Sequence, residues 1–123
     1  MRTLIGLALL SIAATLAHGG DLAPTAKAEI DALLKRLETS ACQFYRNGTW
    51  YDGSAAKDHL QTKLDYLVKK GGVTTSEEFI EKVAAKSSLS GQPYKVRCPN
   101  EQEQPCAVWL TNELRRLREA HSK

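Results

Sequence analysis

Two pairs of polar residues in the middle of the chain have types and a spacing that could bind a ligand. Arg46 and Asn47 precede Gly48 at the tip of a predicted hairpin, where an exposed arginine can anchor a partner. Turn chemistry alone is the alternative explanation. His59 and Lys63 are four residues apart and are therefore neighbours on one helix face. Ordinary surface pairing explains them too, but a half-buried histidine beside the apolar stripe would respond to pH.

A serine-rich turn is the third candidate group. Ser88 and Ser90 precede Gly91, and the turn leads to Tyr94. The hydroxyls can satisfy backbone groups at the end of a helix, or they can form a binding loop that continues to the tyrosine. A serine nucleophile would require a G-x-S-x-G elbow with base and acid partners, and this turn lacks the first glycine. The alternative to a binding surface is an envelope hydrolase that uses His59 with a nearby serine or aspartate.

The three cysteines are predicted to form one disulfide. Cys42 and Cys98 both lie on predicted strands, and a bond between them would stabilise the fold by roughly 4 kcal/mol through chain entropy. A bond between Cys98 and Cys106 is the alternative, with roughly 2.5 kcal/mol by the same relation. We favour the first pair, which leaves Cys106 buried or available for an intermolecular bond. The spacing of cysteines and histidines does not match a zinc site, so the sequence predicts no metal and no other cofactor.

The first twenty residues have the layout of a secretory signal peptide. Arg2 gives a basic start, and about 14 mostly apolar residues and a small-residue cleavage region follow. The apolar run is shorter than the roughly 20 residues that span a bilayer. We therefore expect cleavage near residue 20, a periplasmic or secreted protein, and no membrane span after cleavage. The oxidising compartment favours disulfide formation.

Apolar periodicity and turn signals predict the elements that position these residues. Thr25 is expected to cap a first helix that ends near residue 39. A hairpin turns at Asn47-Gly48, a later strand covers 94–98, and 99–105 form a polar loop. The other predicted helices cover about 54–70, 76–87 and 107–120. The order indicates an α+β fold, in which a small antiparallel sheet, made of the hairpin and one later strand, packs against about four helices.

The central part of the chain resembles a known family. The motifs are FYRNG at 44–48, AxxHLxxKL at 56–64, EFI at 78–80 and SSxSGxPYxV at 87–96. In this order they are similar to the YfeK-like family of small bacterial periplasmic proteins, which carry a domain of unknown function. The resemblance covers roughly residues 26–98 and implies a signal peptide and one mature domain, here residues 21–123. It implies no activity, ligand or cofactor.

These observations favour a small, non-enzymatic binding or interaction module of the cell envelope. The net charge of only +3, with basic residues interleaved among acidic ones, argues against a nucleic-acid partner. The expected partner is an envelope protein or a cell-wall component, and the expected state is a monomer or a weak dimer. The predicted binding surface combines Arg46, Asn47, His59, Lys63, Ser88, Ser90 and Tyr94.

Overall fold

The fold is an α+β arrangement, as the sequence predicts. A computed structural model describes residues 21–122, so the signal peptide predicted for 1–20 lies outside the described residues. The elements in chain order are α1 (Pro24–Thr39), β1 (Gln43–Arg46), β2 (Thr49–Asp52), α2 (Gly53–Lys69), α3 (Ser76–Glu78) with a π-helical continuation (Phe79–Ala84), β3 (Lys95–Arg97), β4 (Gln104–Pro105) and α4 (Cys106–His121).

The sheet contains one more strand than the sequence indicates. Its order is β2-β1-β3-β4, and all neighbours are antiparallel. The predicted hairpin is confirmed: Asn47 (φ 47°) and Gly48 (φ 90°) form its turn, because both tolerate positive φ. The prediction of a loop over 99–105 is wrong at its end, where β4 pairs with β3. A strand of two residues is too short to show the alternation that identifies strands.

The first helix begins with a proline instead of a side-chain cap. Pro24 is the first helical residue and Ala23 is the N-cap, without a side-chain hydrogen bond. The predicted cap at Thr25 is therefore wrong. Proline suits the first helical position because its φ is already helical and the missing N–H has no acceptor there.

The second helix starts directly against the first. The Asp52 carboxylate caps α2 by accepting a hydrogen bond from the Ala55 backbone at 2.8 Å. Gly53 lies so close to α1 that a Cβ atom would be 2.5 Å from the Leu37 carbonyl oxygen. Only glycine permits this approach, which brings the beginning of α2 and the hairpin to the end of α1.

The third helix departs from the predicted α-helix over 76–87. The Thr75 hydroxyl accepts from the Glu78 backbone at 3.0 Å, as predicted, but the Glu78 carboxylate accepts from the Thr74 backbone instead of from Thr75. After one α-helical turn the helix becomes π-helical, and this helix ends at Ala84. Apolar periodicity cannot separate the two helix types here, because i→i+4 and i→i+5 bonding both bury the same residues, which are Phe79, Ile80, Val83 and Ala84.

The core lies between the helices and the inner face of the sheet, and one disulfide closes its edge. Gln43 pairs with Arg97 across β1 and β3, so Cys42 and Cys98 face each other one step further and form the favoured disulfide. The alternative pair is wrong, since Cys106 is a free, buried thiol.

No helix within 21–122 is long and apolar enough to cross a membrane. The largest fully buried side chains include Phe79, Ile30, Leu33, Leu37 and Leu110.

Candidate functional site

A small, mostly apolar cavity of about 90 Å³ opens where the hairpin, α2 and the start of α4 meet. Its buried walls come from helix and sheet residues, while four polar or aromatic side chains surround its mouth. The walls include Leu37, Phe44, Ala56, Leu60 and Cys106; at the mouth, Arg46, Tyr51 and His59 are half-buried, and Tyr94 is buried beside His59.

Strand alternation directs Arg46 to this cavity. Arg46 is two residues after the buried Phe44 on β1, so both project from the same face of the sheet. Tyr51 lies opposite Phe44 on β2 and therefore shares that face. The Arg46 guanidinium donates a hydrogen bond to the Tyr51 hydroxyl at 3.4 Å and lies 5.1 Å from the centre of its ring. These contacts hold the guanidinium at the mouth of the cavity.

His59 and Tyr94 form a hydrogen-bonded pair beside Arg46. The His59 Nε2 atom is 3.2 Å from the Tyr94 hydroxyl, and the two rings meet edge to face. Burial lowers the pKa of His59 below its ordinary value of 6.5, and the positive charges of Arg46 and Lys63 lower it further. Burial also raises the pKa of Tyr94. Both side chains are therefore uncharged at neutral pH.

Lys63 is one helical turn after His59 and connects α2 to the turn that follows the π-helix. Its ammonium donates to the Lys86 carbonyl oxygen at 2.8 Å and lies 5.2 Å from the centre of the Tyr94 ring. Partial burial lowers the pKa of Lys63. Lys63 thus positions Tyr94 and adds positive potential to the site.

The hairpin tip and the serine turn also come together, through Asn47. The Asn47 amide nitrogen donates to the Ser87 hydroxyl at 3.1 Å, and the Ser90 hydroxyl donates to the Asn47 amide oxygen at 2.6 Å. The buried Ser87 hydroxyl accepts two further backbone hydrogen bonds, from Leu89 and Ser90. Ser88 is exposed, and its hydroxyl has no hydrogen-bond partner within 21–122.

The structure brings Arg46, His59, Lys63 and Tyr94 together beside the cavity, joins Asn47 to Ser90 in a second group, and leaves Ser88 apart from both. Ser87 has the central position in the turn, and Tyr51 and Cys106 are additional site residues that the sequence interpretation missed. The register of the hairpin could have identified Tyr51, since it faces Phe44 on the inner side of the sheet. Burial raises the pKa of the Cys106 thiol to about 12, so this thiol is protonated and serves as a wall of the cavity.

The polar groups of the site are suited to binding a ligand by hydrogen bonds and charge. In the part of the chain that the structure describes, no three histidine, cysteine, aspartate or glutamate side chains are close enough together to hold a metal ion. The hydrolase alternative named a serine or aspartate beside His59; the structure instead places the Tyr94 hydroxyl at 3.2 Å from His59 in the cavity, and a hydroxyl at hydrogen-bond distance keeps this alternative open.

Comparison with known proteins identifies a family without an assigned activity. The model of a family of unknown function, DUF5329, matches residues 24–118. The uncharacterized protein YfeK of Salmonella typhimurium (strain LT2) is 38% identical over 69 residues, which are 55% of this chain and 56% of that protein. The match thus spans little more than half of this relative, and no solved structure matches the chain. The YfeK-like resemblance is confirmed, and because the family model covers nearly all described residues, the chain belongs to the DUF5329 family.

Proposed function

We propose that the protein is a small binding module of the bacterial cell envelope. The observation that carries this proposal is the convergence of Arg46, His59 and Tyr94 on the mouth of one apolar cavity. Ligand sites typically combine an apolar concavity with a few polar groups that fix the orientation of the ligand. An apolar group of the ligand would enter the cavity, and its polar part would contact these three side chains.

The rigidity of the site supports the proposal. Arg46, His59 and Tyr94 come from β1, α2 and the segment before β3, and each is held by a contact with another element. The Cys106 backbone also donates to the Tyr94 carbonyl oxygen at 2.9 Å, which fixes Tyr94 to the start of α4. A site that is ordered before binding loses less conformational entropy when the ligand arrives.

A cavity-blocking variant tests the proposed function. Ala55 lines the mouth but is exposed on the first turn of α2, so Ala55→Trp should obstruct the cavity while the core stays intact. Ser54→Trp is the matched control, because Ser54 is exposed on the same turn and does not line the cavity.

The measurement is an NMR fragment screen with the purified full chain and both variants. We expect some fragments to shift the His59, Leu60 and Tyr94 resonances of the unmodified protein and of Ser54→Trp, with these shifts abolished in Ala55→Trp. If no fragment shifts these resonances, or if the two variants respond alike, the cavity is not a binding site.

The location in the envelope is supported by the layout of residues 1–20 and by the disulfide. Intact mass of the protein recovered from the periplasm, before and after reduction and alkylation, tests it. We expect loss of about 20 N-terminal residues, one internal disulfide and one free thiol. An unprocessed chain with three free thiols would contradict export.

A further inference from the structure

Arg46 at the mouth of the cavity and Lys63 beside it have positive charges that no acidic side chain among the described residues neutralises. Among residues 21–122, neither Arg46 nor Lys63 takes part in an ion pair, whereas Arg118 contacts two glutamates. Arg46 uses its guanidinium toward Tyr51 only, through one hydrogen bond of 3.4 Å. A guanidinium has five N–H donors in a planar fork that fits a carboxylate, so Arg46 has donors left for an anionic ligand.

The volume of the cavity limits the apolar part of such a ligand. An apolar cavity of about 150 Å³ holds benzene, whereas this one has about 90 Å³. It therefore suits a smaller aliphatic group, of roughly three or four carbons by the same comparison. Its buried walls, which include Phe44 and Leu60, offer such a group only apolar contacts.

We propose that the ligand is a carboxylate that carries a short branched aliphatic group, with the aliphatic part in the cavity and the carboxylate on Arg46. This inference rests on the proposed function and specifies its ligand. Tyr94 adds a second contact. When His59 carries its proton on Nε2 and donates it to the Tyr94 oxygen, the tyrosine hydroxyl is free to donate its own proton to the carboxylate.

Two sources share this chemistry, a free short-chain acid and the C-terminal leucine or valine of a peptide. The probes are therefore isovalerate, its neutral isostere isovaleramide, and N-acetyl-leucine, titrated into the full chain and followed by NMR. We expect isovalerate to bind about tenfold more tightly than isovaleramide, because a hydrogen bond to a charged group contributes more than one between neutral groups. The relative affinity of N-acetyl-leucine distinguishes the peptide terminus from the free acid.

Arg46→Gln should remove the preference for isovalerate over isovaleramide, and Arg46→Lys should keep part of it, because lysine has the charge without the planar fork. Arg97→Gln is the matched control, since Arg97 is exposed on β3 and stacks on Trp50, 3.9 Å from its ring centre. It should leave the preference unchanged. Thermal unfolding of each variant confirms that the fold is intact.

The two proposals fail in different ways. If isovaleramide binds as tightly as isovalerate, or if Arg46→Gln retains the preference, the carboxylate inference is wrong while the cavity remains a binding site. If none of the three probes shifts the His59 and Tyr94 resonances, the carboxylate inference is wrong; if the fragment screen is also negative, the proposed function itself is wrong.

Discussion

The two ends of α4 differ in whether the arginine beside them is paired with acidic side chains. At its first residue, Cys106 forms a wall of the cavity where Arg46 has no ion-pair partner among the described residues. About 18 Å further along the helix, Arg118 makes paired contacts of 2.7–3.2 Å with Glu29 and Glu77. At the first end, N–H donors of Arg46 have no acidic partner among the described residues, whereas at the other end the N–H donors of Arg118 bind two glutamates.

The contrast in pKa follows the same division. At the far end, the Arg118 hydrogen bonds lower the pKa of Glu29 to about 2, so the charged form is favoured. At the cavity end, burial lowers the pKa values of His59 and Lys63, so the charged forms are disfavoured. A charged side chain that has an oppositely charged partner stabilises the fold, whereas a charged side chain without such a partner, beside an apolar cavity, is available to a ligand. We therefore assign a structural role to one end and propose binding at the other.

The largest expected effect concerns the disulfide that joins the start of β1 to the end of β3. Cys42 and Cys98 are separated by 56 residues, and replacing both by serine should lower the free energy of unfolding by about 4 kcal/mol. Urea unfolding of the oxidised protein and the double variant measures this difference. Cys106→Ala is the control, because it retains the disulfide. An unchanged unfolding midpoint in the double variant would show that the sheet does not depend on this bond.

The next effect separates two neighbouring serines of the turn. Ser87 is buried and its hydroxyl accepts three hydrogen bonds, while Ser88 is exposed. Ser87→Ala should cost about 1–2 kcal/mol, because donors lose their acceptor, and Ser88→Ala should stay within about 0.5 kcal/mol. Urea unfolding of both variants provides the test. Equal costs would mean that the turn is not organised around Ser87.

The difference between these serines illustrates what the sequence could and could not predict. Helices α1, α2 and α4, the Asn47-Gly48 hairpin and the Cys42–Cys98 pair depend on local periodicity, turn residues and strand positions, which the sequence displays. The role of Ser87 depends on contact with a residue 40 positions earlier. The π-helix and β4 escaped prediction because neither changes the local apolar pattern. The long-range pairing of His59 with Tyr94 likewise needs the fold to bring α2 against the segment before β3.

A smaller effect is expected at the ionic end of α4. Arg118→Ala should cost about 1 kcal/mol at neutral pH, because the contacts are partly exposed to solvent. The folded-state pKa of Glu29 is about 2, below its ordinary 4.5. Its contribution is therefore complete above pH 4.5 and is lost as the pH falls toward 2.

Urea unfolding at pH 7 and at pH 3 measures this dependence. The stability that the unmodified protein loses on acidification should be smaller in Arg118→Ala. Arg115→Ala is the control, since this exposed arginine has Asn112 as its hydrogen-bond partner. If Arg118→Ala and Arg115→Ala lose stability equally on acidification, the ionic end does not differ from an ordinary helix surface.

The smallest expected effect measures the unneutralised charge at the cavity end directly. His59 should titrate below 6.5, and Arg46→Gln should raise its pKa, because one of the two nearby cations is removed. NMR titration of the His59 ring provides the value, and Arg115→Gln, at the other end of α4, should leave it unchanged. The pKa of His59 is lower in the folded state than in the unfolded state. The contribution of His59 to the free energy of unfolding is therefore complete above pH 6.5 and is lost as the pH falls from 6.5 toward the folded-state pKa. A His59 pKa that stays constant in Arg46→Gln would mean that solvent screens the guanidinium from the histidine. The cavity end would then have no positive potential to attract a carboxylate, and the contrast between the two ends of α4 would be one of geometry alone.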